Sequence, residues 1–294
     1  MKHFFVIFLC CIINLNMAKA QIFNVDGIYY KVGYESNVEV TSSPALYSGD
    51  IIIPAKISYN DASYSVHSIG ENALSGCIGL NSVALPGSIA SIESFSFRGC
   101  SGLTSIEIPN SVISIGDNAF NGCRSLTSVI IPSSVTSIGG GAFIGCYSLE
   151  SVSILGPVNL ISSSIFLECN GLTSIIIPSS VTLIDHNAFF GCNSLKSITI
   201  PNSVTSIESG AFSGCGGLAS VVIPNSVKNI GFNAFYGCIG LSSLTCLSSE
   251  PPRIYEYTFN DVNVANCTLY VPEGTKELYK TTDYWKDFLT IKDR

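Results

Sequence analysis

Eight of the twelve cysteines in this 294-residue chain stand at one interval: Cys77, Cys100, Cys123, Cys146, Cys169, Cys192, Cys215 and Cys238 are each 23 residues apart. Clustered cysteine can form disulfides, ligate zinc or act as a nucleophilic thiolate. The spacing argues against all three. An unbroken short period means one unit stacked on copies of itself, so equivalent side chains lie about 4.8 Å apart on parallel strands. A disulfide needs Cβ atoms about 3.8 Å apart, so bridging the column would tilt neighbouring coils. There is no Cys-x-x-Cys pair and no clustered histidine, so zinc spacing is missing. What remains is a ladder of small, buried, free thiols. Cys246 takes the place of an inward strand residue such as Ile223, and Cys267 precedes the following strand, out of register with it, which disfavours a bond between these two.

Other chemistry is equally sparse. His67 and His186 occupy variable columns of the repeat, and the register places no nucleophile beside either. Gly139-Gly-Gly-Ala-Phe-Ile-Gly145 superficially resembles a phosphate loop, but the repeat accounts for every residue in it as an ordinary turn. No catalytic, cofactor-binding or metal residues are expected, and the chain does not read as an enzyme.

The elements that position these columns come from the repeat itself. One unit reads Asn110-Ser-Val-Ile-Ser-Ile-Gly-Asp-Asn-Ala-Phe-Asn-Gly-Cys-Arg-Ser-Leu-Thr-Ser-Val-Ile-Ile-Pro132, and eight such units run from Ser65 to Leu247. The isoleucine at Ile115 and the leucine at Leu126 recur in every unit. The Phe120 column is aromatic from the second unit on, with Leu74 in the first. A single coil cannot bury its apolar side alone; it does so against the coils above and below. Leu126-x-x-Val129-x-Ile131 predicts a strand whose β-branched residues point inward on alternate positions, and Pro132 ends it because proline cannot donate to a ladder. A second short extended piece is expected at Val135 to Ile138, and a tight helical or 3₁₀ turn at Ala142 to Cys146. The fifth unit departs from the others: Leu155 replaces the proline ahead of it, Pro157 shifts, Ile165 replaces alanine and Glu168 replaces glycine. That reads as a drifted copy or a local kink.

The pattern Ile-Pro-x-Ser-Val-x-x-Ile-Gly-x-x-Ala-Phe-x-Gly-Cys-x-x-Leu-x-Ser-Ile resembles the BspA-like leucine-rich repeat family, secreted or surface proteins chiefly of Bacteroidetes and some host-associated protists. The resemblance implies a repeat solenoid, a right-handed superhelix of eight 23-residue units with mainly short parallel strands and tight helical turns, capped at both ends. Phe23 to Tyr30 and Tyr47 to Pro54 resemble the family's N-terminal β cap; Leu269 to Gly274, with Tyr284-Trp285-Lys286, resembles its C-terminal end. The domains expected are a signal peptide over 1–20, an N-terminal β cap over 21–64, the repeats over 65–247 and a C-terminal cap over 248–294. Within that last segment Glu273, Lys276, Glu277, Lys280, Asp283, Lys286 and Asp287 are expected on a short helix. Family membership implies adhesion to host proteins or to other cells.

The first twenty residues are set apart by composition. Phe4 to Leu15 is an apolar run too short to span a bilayer, and Ala18-Lys19-Ala20 has the small-x-small form of a cleavage site. The chain is therefore expected to be exported, to the extracellular space, the cell surface or the periplasm, with no membrane insertion after cleavage. The formal charge is −7, and loss of a leader holding Lys2 and Lys19 and no acid takes two positives away, leaving −9. An acidic, charge-poor surface argues against nucleic acid and anionic membrane as partners.

The informative surface is the outward side of the strands. One column is serine in all eight units: Ser82, Ser105, Ser128, Ser151, Ser174, Ser197, Ser220 and Ser243. The other varies: Ala84, Glu107, Ile130, Ser153, Ile176, Thr199, Val222 and Thr245. Exposed apolar members on a small-residue face mark a contact site, so the candidate partner-binding residues are Ser105, Glu107, Ser128, Ile130, Ser151, Ser153, Ser174, Ile176, Ser197, Thr199 and Val222. A secreted or cell-surface protein that contacts a host matrix or bacterial surface protein is the reading these features favour; oligomeric state is left open. The alternatives are a glycan-binding module and a structural envelope component. Glycan binding wants aromatic platforms, and the tyrosines gather near the ends (Tyr29, Tyr30, Tyr255, Tyr257) rather than on the strand face.

Overall fold

Each 23-residue unit lays down two extended pieces joined by a turn, and stacking the units turns every column of the sequence into a ladder. The computed structural model describes residues 21–294, so the expected leader lies outside the described residues. The longer pieces, such as Ser128–Ile131 and Ser151–Ile154, pair in parallel with Ser128 beside Ser151 and Ile130 beside Ser153. The shorter pieces, such as Ser114–Ile115 and Ser137–Ile138, form a second parallel ladder on another side of the coil. Inward positions alternate with outward ones along the long pieces, which is why Val129 and Ile131 are buried and Ile130 is not.

The turns differ from expectation. No helix is assigned between Asn118 and Cys123 or in the equivalent turns of the other units. Two left-handed residues four positions apart interrupt each turn. The first column is Asn72, Phe95, Asn118, Gly141, Ser164, Asn187, Gly210 and Asn233; the second is glycine throughout except Glu168. A left-handed residue cannot continue a right-handed helix. Instead the backbone alternates. Cys100 N–H closes a turn on Phe97 C=O, while Phe97 N–H reaches across to Ala119 C=O at 2.7 Å in the next coil. The glycine-rich stretch from Gly139 fits this scheme: Gly141 and Gly145 fill the two left-handed positions, and a Cβ at Gly139 would collide with Asp117 backbone.

Glu168 is the costly member of its column, exposed and held at φ 59° where the other units have glycine. Its side chain is held by little more than a 3.4 Å contact with the Tyr147 hydroxyl. Relief of left-handed strain, about 1–2 kcal/mol, outweighs glycine's added unfolded-state entropy, about 0.5–1 kcal/mol. Glu168→Gly is thus expected to stabilise the protein by up to about 1 kcal/mol. Urea unfolding measures it; a loss of stability would contradict the strain assigned here.

The core is a stack of rings. Phe97, Phe120, Phe143, Phe166, Phe189, Phe212 and Phe235 are fully buried, with successive centroids between 5.0 Å (Phe97–Phe120) and 5.7 Å (Phe143–Phe166). The stack continues to Phe259 at 5.4 Å and ends against the edge of Phe288 and the tilted ring of Trp285. Trp285 donates its ring N–H to Pro252 C=O at 2.8 Å. At the other end, Ile22–Val25 and Ile28–Val32 form an antiparallel hairpin around Asp26-Gly27, both at positive φ as a tight two-residue turn requires. The following strand Asn37–Val40 pairs in parallel with Ala62–Ile69 and so joins the hairpin to the solenoid. The C-terminal charges do not share one helix. Lys276–Thr281 carries Lys276, Glu277 and Lys280, a separate 3₁₀ turn Trp285–Asp287 carries Lys286 and Asp287, and Glu273 and Asp283 lie outside both.

The ladders break at three places, one of them between Ser174–Ile176 and Ser197–Thr199, which belong to different sheets. In unit five the short strands Ser137–Ile138 and Leu160–Ile161 belong to different sheets. In four other units a serine hydroxyl, such as that of Ser134, donates to the preceding coil's valine carbonyl; Pro157 stands at that position here and cannot donate. Gly156 permits the altered path, since a Cβ there would collide with Val135 C=O. The drifted copy is thus a local interruption. In unit two, Ser105–Ile108 is not a strand, which corrects the expectation of eight equivalent ones.

Candidate interaction face

The thiol ladder is chemically closed. All ten described cysteines are free and buried. From Cys100 to Cys238, each Sγ in the column donates to the carbonyl of the aromatic or leucine column one coil back, as in Cys146 to Phe120 C=O at 3.2 Å and Cys169 to Phe143 C=O at 3.1 Å. Burial pushes the thiols of Cys100, Cys146 and Cys238 up to about 12 and those of Cys123, Cys169, Cys192 and Cys215 well above their ordinary range. A nucleophilic cysteine needs the opposite shift. Cys246 receives the Tyr279 hydroxyl at 3.1 Å and is free, as is Cys267. The His186 ring pairs with its neighbour, Nδ1 with Asp185 Oδ1 at 2.6 Å, on the surface. Among the described residues, no group of three or more His, Cys, Asp or Glu side chains is placed to hold a metal ion.

The outward strand columns do come together. Parallel pairing puts Ser128, Ser151 and Ser174 in one row and Ile130, Ser153 and Ile176 in the next. Farther along, Ser197 and Thr199 pair with Ser220 and Val222. Ile130, Ile176 and Val222 are 61%, 70% and 43% exposed, large apolar side chains directed at solvent from an ordered sheet. Ser105 and Glu107 share the side but lie in the segment that is not a strand. Where that segment leaves the ladder, a cleft of about 370 Å³ opens, walled by Ile108, Pro109, Ile130, Pro132 and Leu155, with Ser105, Glu107 and Ser128 at its polar edge.

Several members of this face lie beyond the eight units. Gly49–Ile52 pairs with Leu80–Ala84, adding Asp50 beside Ser82 and Ile52 beside Ala84. Thr268–Val271 and Thr290–Asp293 extend the other end and add Tyr270 and Lys292. The signal was present in part: Ile53-Pro54 and Val271-Pro272 repeat the apolar-proline ending of the unit strands.

A family profile described as a BspA type leucine rich repeat region (6 copies) matches residues 55–173 and 159–282. No curated protein matches. Among solved structures, a leucine-rich repeat protein from Bacteroides ovatus is 28% identical, with a TM-score of 0.71, over 92% of this chain and 76% of that one. A leucine rich cell surface protein from Faecalibacterium prausnitzii is 22% identical, with a TM-score of 0.57, over 93% of this chain and 94% of that one. A leucine-rich repeat protein from Eubacterium ventriosum is 23% identical, with a TM-score of 0.54, over 74% of this chain and 50% of that one.

Proposed function

The chain belongs to the BspA-type leucine-rich repeat family, and from that premise we propose that it is an exported binding protein that contacts a protein partner, in adhesion or cell–cell contact, through the outward strand face. The carrying observation is the pairing that sets Ile130, Ser153 and Ile176 side by side, with both isoleucines exposed. Two large apolar side chains held outward on either side of a serine by paired strands support contact rather than catalysis. The apolar run and small-x-small site of the first twenty residues support export.

The test is the double variant Ile130→Asp with Ile176→Asp, assayed for binding to intact bacterial cells and to immobilised host matrix proteins. The two Cα atoms lie two coils apart, about 10 Å, so both charges would fall within one contact. Leaving either unpaired there costs several kcal/mol, on the order of a thousandfold in affinity. Binding is expected to vanish while the thermal midpoint barely moves, because neither side chain packs inward. Full binding by the folded double variant would remove the strand face from the proposal.

A further inference from the structure

The strand face is self-complementary about its fifth unit. Take unit five, which carries Ile176, as a centre, and compare coils equally far on either side. Unit four carries exposed Glu150 at the strand entrance and unit six carries exposed Lys196 in the same column. Unit three carries Ile130 and unit seven Val222, both exposed. Ala84 in unit one corresponds to Tyr270, a small residue to a large one. The first strand of the face carries exposed Asp50 in the serine column, corresponding to Thr290 of the last strand, and exposed Ile52 in the varied column, corresponding to exposed Lys292. Glu107 in unit two corresponds to uncharged Thr245. A two-fold axis through Ile176 along the strand direction would reverse the coil order of a second copy while keeping every column opposite itself. In that arrangement Glu150 meets Lys196, Ile130 meets Val222, Ile176 meets its own copy, no like charges of these columns meet, and only the outermost pair, Ile52 with Lys292, is unmatched.

We propose that the partner of this face is a second copy of the same chain, joined in an antiparallel, isologous contact centred on Ile176. This rests on the face being the binding surface and names its occupant. The area is sufficient. From Ile52 to Lys292 the face spans ten coil steps, about 48 Å, and its three outward columns about 13 Å, so about 1,200 Å² in total is buried, at the lower end of specific interfaces. A contact of that size is reversible, as homophilic cell–cell contact demands. Symmetry makes the Glu150–Lys196 pair twice, so reversing one charge changes two contacts.

Sedimentation equilibrium of the purified protein over a concentration series is the experiment. Wild type is expected to associate to dimers. Glu150→Lys and Lys196→Glu should each weaken association about tenfold, since each replaces two attractive pairs by two repulsive ones. The double swap Glu150→Lys/Lys196→Glu should recover most of it, a rescue that misfolding could not produce. Ile176→Asp, which sets two carboxylates face to face on the axis, should leave only monomer. A wild type that stays monomeric at every concentration overturns the inference, as does a dimer that neither single swap weakens. If wild type is monomeric yet the Ile130→Asp/Ile176→Asp variant still loses cell or matrix binding, the homophilic inference fails and the proposed function stands.

Discussion

Raising the pH from 8 to about 10.5 is expected to unfold this protein, and the cysteine ladder is the cause. In the unfolded chain a thiol ionises at its ordinary value of 9.0; in the fold, burial holds Cys100, Cys146 and Cys238 at about 12 and four others well above 9. The folded value is raised, so the thiols' contribution is fully present below pH 9 and is lost as pH climbs toward 12. At pH 10 each thiol that the fold keeps protonated costs about 1.4 kcal/mol relative to the unfolded chain. Seven such groups give on the order of 10 kcal/mol, comparable with the whole stability of a typical domain. Chemical denaturation at stepped pH measures the slope, with high salt added to screen repulsion among the acidic surface charges. Cys146→Ala should lower that slope by about 1.1 kcal/mol per pH unit averaged between pH 9 and 11, whatever it does to stability at neutral pH. The same burial predicts that a thiol reagent at pH 8 finds the column silent in folded protein and fully reactive after denaturation without reductant. A stability that stays flat to pH 10.5, or a column recovered as inter-coil disulfides, would refute the closed ladder.

The sequence made the columns legible because a strict period translates position in the chain directly into position on the coil. Inward Val129 and Ile131, outward Ile130 and the phenylalanine stack all follow from counting by 23. The turn was misread because a helical turn and a chain of β-turns both close i to i+3 bonds and share the same apolar spacing. The alternation of asparagine and glycine at Asn118, Gly141, Asn187 and Gly210 was the readable sign of a left-handed position. The thiol-to-carbonyl bond was out of reach: it joins Cys146 to a residue 26 positions earlier, and only the coil path reveals that offset. The strands carrying Asp50 and Lys292 were hidden for a different reason. They continue the face without the repeat's cysteine, phenylalanine or length, so the period could not find them.

Phe143→Ala is expected to cost about 3–5 kcal/mol, the range for removing a fully buried aromatic whose space cannot refill. The rings on either side, Phe120 at 5.3 Å and Phe166 at 5.7 Å, are fixed by their own coils. The backbone that would have to move inward is held three ways: Phe143 N–H donates to Ile165 C=O at 2.9 Å, and Phe143 C=O accepts both Cys146 N–H and the Cys169 thiol. Collapse of the cavity would break bonds to the coils on both sides, so the gap stays. Phe143→Leu fills much of the space and should cost markedly less. Because each coil is stabilised by its two neighbours, a mid-stack defect weakens two interfaces at once. The unfolding transition of Phe143→Ala should therefore broaden or split as the two halves lose coupling, whereas an equal loss near the last ring would fray one end. Calorimetry resolves the difference. A cost below about 1 kcal/mol with a single sharp transition would mean that the ring stack yields, and that the rigidity assigned to the strand face above it comes from the ladders alone.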